Sequence, residues 1–533
     1  MKNAKNGLIV ILLILMSLPI FIIGIQRSFG ITDEACYAEV TKEMVKSGDW
    51  MTFSRWGRPF YEKPPLLFWI MGFFFKIFGM NIITARLPVV FFGIGVIVFT
   101  YLLGREIFEE KDKDSIFFAC LVTLTTPSII TYGHGALMDI PLLFFILMGT
   151  YFLIKSEKVP YFSMFFGISL GLGIMMKGPM ALVLVFGFIP YIILKKKWQY
   201  FTNPYLYIGL ILMVVIVLPW HIYEIVKNGK DFIDSYFGEH IFRRMTTHYI
   251  PTVINTKTGI FFYPISILFN FLPWSVFLLQ ALWQDIKNIK ISDKSAILVS
   301  FIITNLVVLT LIKTHLDQYA IIFYPFLSLS VGTYLPRAIK DENANRLSLK
   351  VGSIVYLVLG LILVTASIFV FLKFNYYILW TIPALIFASI IFSFSFIYFF
   401  RNKLSIWKKM ILNTLGWGFY SGWIISLIFV PFWDYHSDFK SFIFSAKNLI
   451  PEEEVVYGVV PDRILYMRDP LHFHLDNPVK DVGEENISKV WNSVDSLILI
   501  THKTVYEKNL PLLSRGIKLF ESEEWILLKK GNP

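Results

Sequence analysis

Three carboxylates stand together just after the first strongly apolar segment of the chain. Asp33, Glu34 and Glu39 lie in the sequence ITDEACYAEV, which follows the apolar run from Leu8 to Ile25. A run of about 18 apolar residues is long enough to cross a bilayer as a helix, so these carboxylates are expected near a membrane edge. A carboxylate such as Asp33 is suited there to act as a general base or to accept a hydrogen bond from a sugar hydroxyl.

Further ionisable residues stand at the ends of later apolar segments. They are Glu62 and Lys63 in RPFYEKPPLLFW, His134 and Asp139 in GHGALMDIP, Lys177 in MMKGP, Glu239, His240, Arg243 and Arg244 in FGEHIFRRM, and Lys313, His315 and Tyr319 in IKTHLDQYAIIFYP. Ionisable groups beside apolar segments are energetically costly, and by default they mark a functional site. Together with ITDEACYAEV, such groups occur in six separate segments, which is a stronger signal than any one segment alone.

The residue types indicate which chemistry these groups could perform. The hydrogen-bond donors suited to a phosphate oxyanion are Lys63, Lys177, Arg243, Lys313 and Tyr319. Asp33 and Asp139 suit a general base or a hydroxyl acceptor. Glu62 and His240 could coordinate a divalent metal. The combination predicts a site that holds a lipid phosphate while a group attached to it reacts.

Structural roles are the alternative for each of these residues. Asp33 could be a helix N-cap, and Glu62–Lys63 could end a helix because two prolines follow. Lys177 could extend its ammonium from the end of a span into the interface. His240 could be an ordinary loop histidine, and we expect Arg244 to be a solvated loop residue.

The composition predicts an integral membrane protein. The chain has 533 residues, of which 56% are hydrophobic and 16% charged, and its mean hydropathy is +0.61. A soluble protein of this size could not bury that much apolar surface. The net charge of +11 is typical of cytoplasmic loops rich in Lys and Arg, and without a basic soluble domain we expect no nucleic-acid partner.

Lys and Arg residues predict the orientation of about thirteen spans. The spans lie near 7–25, 84–104, 115–132, 137–154, 160–174, 178–194, 205–224, 259–283, 295–312, 316–336, 350–372, 376–400 and 410–432. Alternate short connections are rich in Lys and Arg, which places them in the cytoplasm. We therefore predict a cytoplasmic N-terminus, an external C-terminus and a multi-pass protein of the inner (plasma) membrane.

This topology divides the chain into a transmembrane part, 1–433, and an external tail, 434–533. Two long external loops, 26–83 and 225–258, are predicted within the transmembrane part. In the first loop, Leu66 to Phe78 is apolar but short for a span, which favours a helix lying along the interface. The tail alternates β-rich runs (EVVYGVV, VDSLILIT, WILLKK) with helix-like stretches, which predicts a small α/β domain. The two cysteines, Cys36 and Cys120, predict neither a disulfide nor a Cys-based metal site.

Several motifs resemble those of a known family. The motifs are D-E-A-x-Y-A-E at Asp33, G-D-W, Y-E-K-P-P-L at Glu62, A-R-L-P, D-x-P-L at Asp139, K-G-P at Lys177, E-H-x-x-R at Glu239, F-L-P-W at Phe271 and K-x-x-x-x-x-Y at Lys313. In this order they resemble bacterial polyprenyl-phosphate-sugar-dependent glycosyltransferases of the GT-C membrane fold. That group includes protein O-mannosyltransferases and lipid A 4-amino-4-deoxy-L-arabinose transferases. The resemblance covers residues 1 to about 435 and extends more weakly into the tail.

The resemblance implies an inverting sugar transfer from undecaprenyl phosphate, or dolichyl phosphate in archaea, on the outer membrane face. It implies Asp33 as the catalytic carboxylate, Asp139 as its assistant, and Glu62 with His240 as the holders of a zinc-like metal. It implies that the donor phosphate is held by Lys63, Lys177, Arg243, Lys313 and Tyr319. Glu34, Tyr37 and His134 are expected to contact the acceptor or support the site, and no nucleotide cofactor is expected.

Two departures from the family pattern leave the acceptor open. Cys36 stands where aminoarabinose transferases have Arg, and His134 stands where relatives often have Arg. An anionic acceptor such as lipid A would favour that Arg. The acceptor is therefore expected to be an external lipid, glycan or protein, with the aminoarabinose transferase and the protein O-mannosyltransferase as alternatives. A transporter or lipid flippase is the alternative from another class. It would have interrupted helices, midplane charges and two related halves, and the chain has no evident internal repeat.

Overall fold

The structure is a computed structural model of the whole chain. It describes residues 2–22, 24–29, 32–108, 113–247, 259–340, 437–461, 467–475 and 477–531, together with residues 351, 355, 358 and 365. The predicted spans at 350–372, 376–400 and 410–432 lie largely outside these residues.

The chain divides into two compact units, and parts of the predicted transmembrane region group with the tail. The first unit contains residues 1–25, 61–67 and 87–428, and the second contains 26–60, 68–86 and 429–533. Most of the first predicted loop therefore groups with the C-terminal residues. The physical reason is a set of buried contacts within the second unit, described below.

The first unit is built from helices. Their bounds are α1 (Lys2–Ile22), α4 (Ile82–Ile107, which starts in the second unit), α5 (Lys113–Leu124), α6 (Pro127–Gly133), α7 (Asp139–Lys155), α8 (Phe162–Lys177), α9 (Val183–Leu194), α10 (Gln199–Thr202), α11 (Pro204–Phe232), α12 (Arg244–Thr246), α13 (Phe262–Asn270), α14 (Leu278–Asn288), α15 (Asp293–Leu311) and α16 (Tyr324–Lys340). Short 3₁₀ helices cover Gly178–Leu182, Gly259–Phe261, Trp274–Phe277 and Asp317–Phe323, and a π-helix covers Ile233–Arg243.

Several of these helices are long and apolar enough to cross a membrane. Among the described residues there are five such segments, Ile82–Ile107, Pro160–Leu194, Pro204–Thr246, Asp293–Leu311 and Asp317–Ala338. Two bent helix pairs, with bends of 56° and 115°, raise the number to seven if each pair is one span. The helical polytopic architecture is thus confirmed, and the count of thirteen spans stays a prediction.

Small residues let two of these helices pack closely. A Cβ added at Gly167 on α8 would lie 2.1 Å from the Gly209 backbone on α11, so the helices cross at a pair of glycines, as is common between membrane helices. The long apolar stretch 160–194 is broken at Gly178 into α8 and α9. The Tyr191 hydroxyl near the end of α9 donates to Glu157 before the start of α8, at 2.7 Å. The chain therefore turns back at Gly178, and the segment Pro160–Leu194 is not one straight helix.

The predicted second loop is largely helical. Residues 204–246 form one helical segment through α11, the π-helix and α12, whereas sequence analysis placed a loop from residue 225 onward. Phe232 and Tyr236 in this segment are buried and hold this end of the helix within the first unit. Residues 248–258 of that loop lie outside the described part of the chain.

The second unit combines the first predicted loop with an α/β domain. From the loop it takes α2 (Thr32–Ser47), a hairpin of β1 (Ser54–Arg55) and β2 (Arg58–Pro59), and most of α3 (Leu66–Phe78). The predicted helix at Leu66–Phe78 is therefore present. The C-terminal elements are α17 (Ser437–Lys447), β3 (Val456–Val459), α18 (Arg468–His474), β4 (Val479–Asp481), a 3₁₀ helix at Glu484–Asn486, α19 (Ile487–Ser493), β5 (Leu497–His502), α20 (Lys503–Lys508), α21 (Leu510–Leu513), β6 (Ile517–Glu521) and β7 (Trp525–Lys530).

The C-terminal strands form one mixed sheet in the order β4-β3-β5-β7-β6. Strands β4, β3 and β5 are parallel, whereas β7 pairs antiparallel with both β5 and β6. All six residues of β5 are buried, because Ile498 and Ile500 pack on one face and Leu497 and Leu499 on the other. A strand covered on both faces has a continuous apolar sequence. The small α/β domain predicted from the β-rich runs and helix-like stretches of the tail is confirmed.

Candidate active site

A buried ion pair in the first unit joins two of the predicted site residues. The Lys177 ammonium lies 2.5 Å from a carboxylate oxygen of Asp139, and both side chains are less than a tenth exposed. The same ammonium lies over the ring of Tyr319, 5.4 Å from its centroid. Asp139 begins α7 and Lys177 ends α8, so two neighbouring antiparallel helices bring the pair together.

The backbone at Gly178 sets the direction of Lys177. Gly178 has φ +65° and ψ −146°, a conformation open essentially to glycine alone. It ends α8 directly after Lys177 and starts the 3₁₀ turn. A Cβ at this position would lie 3.2 Å from the Tyr236 hydroxyl, which itself lies 3.4 Å from Nε2 of His221. The K-G-P motif is therefore explained by a tight turn against α11 and the π-helix.

Glu62 and His240 approach each other, as their predicted joint role requires. Nδ1 of His240 lies 3.9 Å from a carboxylate oxygen of Glu62. That nitrogen is buried and has no hydrogen-bond partner among the described residues. Lys63 and Arg244 lie close enough to His240 to act on its charge.

A divalent cation fits this donor pair only with help from other ligands. One imidazole nitrogen and one carboxylate oxygen are ligands that zinc accepts, and their separation can be bridged by a single ion. The described residues contain no group of three His, Cys, Asp or Glu side chains that could hold a metal. The remaining ligands would have to be water or a substrate oxygen.

Arg243 and Lys313 are more exposed than the Lys177 pair. Arg243 donates to Glu239 at 2.6 Å, and both side chains are about half exposed. Lys313 is also exposed, and its backbone N–H donates to the Met245 carbonyl at 3.1 Å. The segment that carries Lys313 is therefore joined to the end of the π-helix segment, beside Arg243.

Asp33 lies in the second unit, at the start of α2. Its side chain is exposed, and the Tyr37 hydroxyl donates to its carboxylate at 3.5 Å from the next turn. Tyr37 is buried and packs edge-on against Phe68 on α3, with ring centroids 5.8 Å apart. The buried Tyr37 thus contacts the Asp33 carboxylate, while the rest of that carboxylate is exposed.

Glu34 forms a fully buried ion pair with Arg86 of the A-R-L-P motif. The Arg86 guanidinium donates to both carboxylate oxygens, at 2.6 and 2.9 Å, and to the carbonyls of Arg27 and Ser28. Both side chains have no exposed surface. Of the two roles expected for Glu34, this geometry matches structural support.

His134 packs among helices. Its Nδ1 donates to the Ile130 carbonyl at 2.7 Å, and its ring lies 6.4 Å from the Phe21 ring. The residue is 4% exposed, which again matches support better than acceptor contact.

Three residues of these arrangements were not singled out as site residues by sequence analysis. Tyr236 and Arg86 lie in apolar or mixed segments, and nothing in their spacing predicted the partners they find. Arg244 was expected to be solvated, but it is half-buried and its carbonyl accepts from Thr314. Its position four residues after His240 on one helix was the available signal, because residues i and i+4 share a face.

Together the described residues of the first unit offer buried and half-buried cations beside two carboxylates and an imidazole. Such a set can bind an anion such as a phosphate and stabilise charge that grows on it. In the second unit, the exposed Asp33 carboxylate is placed to accept a proton or a hydrogen bond.

Known proteins with similar sequences include sugar transferases that use lipid-linked donors. Residues 62–223 match the family described as dolichyl-phosphate-mannose-protein mannosyltransferase. An uncharacterised protein of Aquifex aeolicus is 25% identical over 66% of this chain and 68% of its own length. The undecaprenyl phosphate-alpha-4-amino-4-deoxy-L-arabinose arabinosyl transferase of Yersinia enterocolitica is 26% identical over 62% of this chain. The aligned part spans only 59% of that relative.

The fold matches that of a solved membrane glycosyltransferase structure. The crystal structure of ArnT from Cupriavidus metallidurans bound to undecaprenyl phosphate superposes with a TM-score of 0.80, at 18% identity, over 98% of this chain and 99% of that chain. In its motifs, its fold and these matches, the chain is similar to polyprenyl-phosphate-dependent glycosyltransferases of the GT-C fold.

Proposed function

We propose that this protein transfers a sugar from a polyprenyl phosphate to an acceptor on the external face of the inner membrane, with inversion at the sugar C1. The observation that carries the proposal is the buried Lys177–Asp139 pair, whose ammonium lies over the Tyr319 ring. Burying a cation is costly unless it is paired. A lipid phosphate can take over that pairing when the donor binds.

In the proposed reaction, Asp33 accepts a proton from the acceptor hydroxyl or amine as that group attacks C1. The bond between C1 and the phosphate oxygen breaks, and the electron pair leaves with the lipid phosphate. Lys63, Lys177, Arg243 and Lys313 stabilise the charge that the phosphate gains. Positioning and charge stabilisation then carry most of the acceleration, because a phosphate is already a good leaving group.

The acceptor class stays open between a lipid, a glycan and a protein. Similarity to the Yersinia arabinosyl transferase favours an aminoarabinose donor and leaves the acceptor open, whereas the mannosyltransferase match favours a protein acceptor. Cys36 is buried at 6% exposure in the D-E-A-C-Y motif, where an Arg would serve an anionic acceptor. That substitution favours a neutral or cationic acceptor over a lipid A phosphate.

Donor-phosphate binding tests the role of Lys177. We expect Lys177→Met in the purified full-length protein to weaken binding of undecaprenyl phosphate by about 10-fold or more, because a hydrogen bond to a charged group is worth about 1.5–3 kcal/mol. Native mass spectrometry or a titration would measure the affinity. Lys230→Met, which removes an exposed lysine at the end of α11, is the matched control.

A second variant separates loss of the cation from loss of the buried pair. Asp139→Asn keeps Lys177 and removes the competing carboxylate, so its binding of undecaprenyl phosphate should be at least as tight as that of the wild type. Equal binding by Lys177→Met and the wild type would contradict the proposal.

We also propose that Glu62 and His240 hold a divalent metal, which when bound would supply further positive charge beside the phosphate. The unpartnered Nδ1 of His240 next to Glu62 supports this role. Equilibrium dialysis against zinc, followed by metal analysis, should give a bound ion that His240→Ala loses. Equal zinc content in the two proteins would exclude His240 as a ligand.

A further inference from the structure

A buried lysine of the first loop caps a helix of the C-terminal domain within the second unit. Lys42 on α2 is 4% exposed. Its ammonium donates to the carbonyls of His472, Phe473 and Leu475, at 2.6, 2.8 and 2.5 Å. These carbonyls lie at the C-terminal end of α18, where backbone acceptors lack helical partners and the helix dipole favours a cation. Three carbonyls match the three N–H groups of an ammonium.

A second charged contact joins the β1–β2 hairpin to the same helix. Arg55 donates through Nε and Nη2 to the two carboxylate oxygens of Asp469, at 2.9 and 2.6 Å. The Asp469 side chain is 1% exposed. Burial raises the pKa of Asp469, while the charge of Arg55 opposes that rise. A two-pronged Arg–carboxylate contact fixes orientation as well as distance.

The turn of this hairpin has a strained backbone at Trp56, a residue that contacts Arg55 and the His472 ring of α18. Trp56 has a positive φ of 56°, which is strained for a bulky residue. Its ring centroid lies 4.2 Å from the Arg55 guanidinium and 5.7 Å from the centroid of the His472 ring. Contact with α18 offsets the strain.

Apolar contacts complete the same interface. Phe473 of α18 packs edge-on against Phe29, with ring centroids 5.0 Å apart, and lies 6.2 Å from Phe75 on α3. Segments before and after α2 therefore meet one short helix of the C-terminal domain. This is the physical reason why residues 26–60 and 429–533 form one compact unit.

The helix geometry connects these contacts to Asp33. Nine residues separate Asp33 from Lys42, so the two side chains lie on roughly opposite faces of α2, about 13 Å apart along the axis. Lys42 is buried, whereas Asp33, in the first turn of α2, is exposed. Fixing the face that carries Lys42 therefore fixes the direction in which Asp33 points.

We propose that the C-terminal α/β domain positions the catalytic carboxylate of Asp33, and that Lys42 and Arg55 are the positioning residues that couple α18 to α2. The proposal rests on the function proposed above, since it takes Asp33 as the group that acts on the acceptor. The domain is then part of the catalytic apparatus.

Hydrogen exchange and sugar transfer together test this role. In purified full-length Lys42→Met, amide exchange within residues 32–47 should be at least about 10-fold faster than in the wild type. In cells, transfer, followed by mass spectrometry of lipid extracts, should fall by about 10- to 100-fold, since small misplacements of reacting groups have effects of this size. Binding of undecaprenyl phosphate should change by less than about twofold, because its proposed ligands belong to the first unit.

Two further variants keep the test decisive. Lys46→Met removes an exposed lysine one turn further along α2 and should match the wild type in all three measurements. Arg55→Met, at a partly exposed side chain, replaces Lys42→Met if that variant does not accumulate, and the same changes are expected.

The outcomes separate this proposal from the proposed function. Unchanged exchange of residues 32–47 in Lys42→Met and Arg55→Met would overturn the positioning role. So would faster exchange with normal transfer, provided that Asp33→Asn stops transfer. Normal transfer in Asp33→Asn would instead overturn the proposed function, and with it any need to position that carboxylate.

Discussion

At the scale of single residues, the buried carboxyl group of Glu39 has a pKa raised into the neutral range. It lies on α2 at 3% exposure. Burial raises the pKa of its carboxyl to about 7, against the opposing charges of Lys42 and His472 and with a smaller push from Glu43 and Asp469. The carboxyl group therefore changes its protonation state near neutral pH.

The sign of the resulting pH dependence follows from the raised pKa. Between its unfolded pKa of 4.5 and its folded value of about 7, the unfolded chain releases the proton and the folded chain keeps it. The folded state is therefore favoured at low pH, and this contribution is lost as the pH rises toward 7. It amounts to roughly 3 kcal/mol at most, since one pKa unit corresponds to about 1.4 kcal/mol.

We expect Glu39→Gln to stabilise the protein relative to the wild type at pH 8.5 and to change it less at pH 5.5. The apparent melting temperature of the purified full-length protein at both pH values measures the difference. Glu452→Gln, at an exposed position, should show no such pH dependence. A Gln variant that is less stable at pH 8.5 than at pH 5.5, relative to the wild type, would contradict the assignment.

The sequence predicted which residues belong to the candidate site, but it did not predict all of their partners. The cost of placing Lys177, Asp139, Glu62 and His240 beside apolar segments made them visible, and the structure brings them together as two pairs. The pairing of Glu34 with Arg86 was not predictable, because 52 residues separate them and only the fold decides which buried carboxylate a buried guanidinium meets.

At the scale of elements, the turn after α8 controls the most buried cation of the site. Gly178→Ala should reduce sugar transfer by about 10-fold, because alanine is strained at this φ and ψ by about 1–3 kcal/mol and its Cβ would press on the Tyr236 hydroxyl. Lipid extracts compared by mass spectrometry would measure the loss.

Gly7→Ala provides the control for this substitution, because a Cβ at Gly7 meets no atom within 4 Å. It should leave transfer unchanged. Normal transfer in Gly178→Ala would show that this turn does not determine where Lys177 acts.

Helices and strands were predictable from the sequence pattern where a segment is uniformly apolar. The prediction was wrong where polarity changes along the segment. The strand β5 and the helix at Leu66–Phe78 were predictable because each has a uniform apolar pattern. The segment after residue 225 was expected to be a loop because it is polar. It is helical because Phe232 and Tyr236 stack with ring centroids 5.2 Å apart and anchor it by a contact that has no signature in local polarity.

At the scale of the whole molecule, the Lys and Arg residues predicted the orientation of the spans. The contacts in the structure group segments that the sequence had placed in different domains. The boundary at 433 was drawn where the last predicted span ends. Contacts group residues 26–60 and 68–86 with the C-terminal domain, since non-local pairs such as Arg55–Asp469 leave no pattern in either segment alone.

The proposed orientation has the N-terminus in the cytoplasm and the α/β domain outside. Alkaline phosphatase fused after Pro533 should be active, since it folds only outside the cytoplasm, and a fluorescent protein fused there should be dark. A fluorescent protein fused before Met1 should be bright. The opposite pattern would reverse the topology and move Asp33 to the wrong face for external transfer.

The most direct test of the central claim compares lipid extracts from cells that carry the wild type and cells that carry Asp33→Asn. With the variant, the account predicts that a polyprenyl-phosphate sugar accumulates and that a lipid, glycan or protein loses one sugar mass. That mass would identify the sugar, and the molecule that loses it would identify the acceptor. Unchanged pools, with the variant present in the membrane at the normal level, would show that Asp33 is not the catalytic carboxylate.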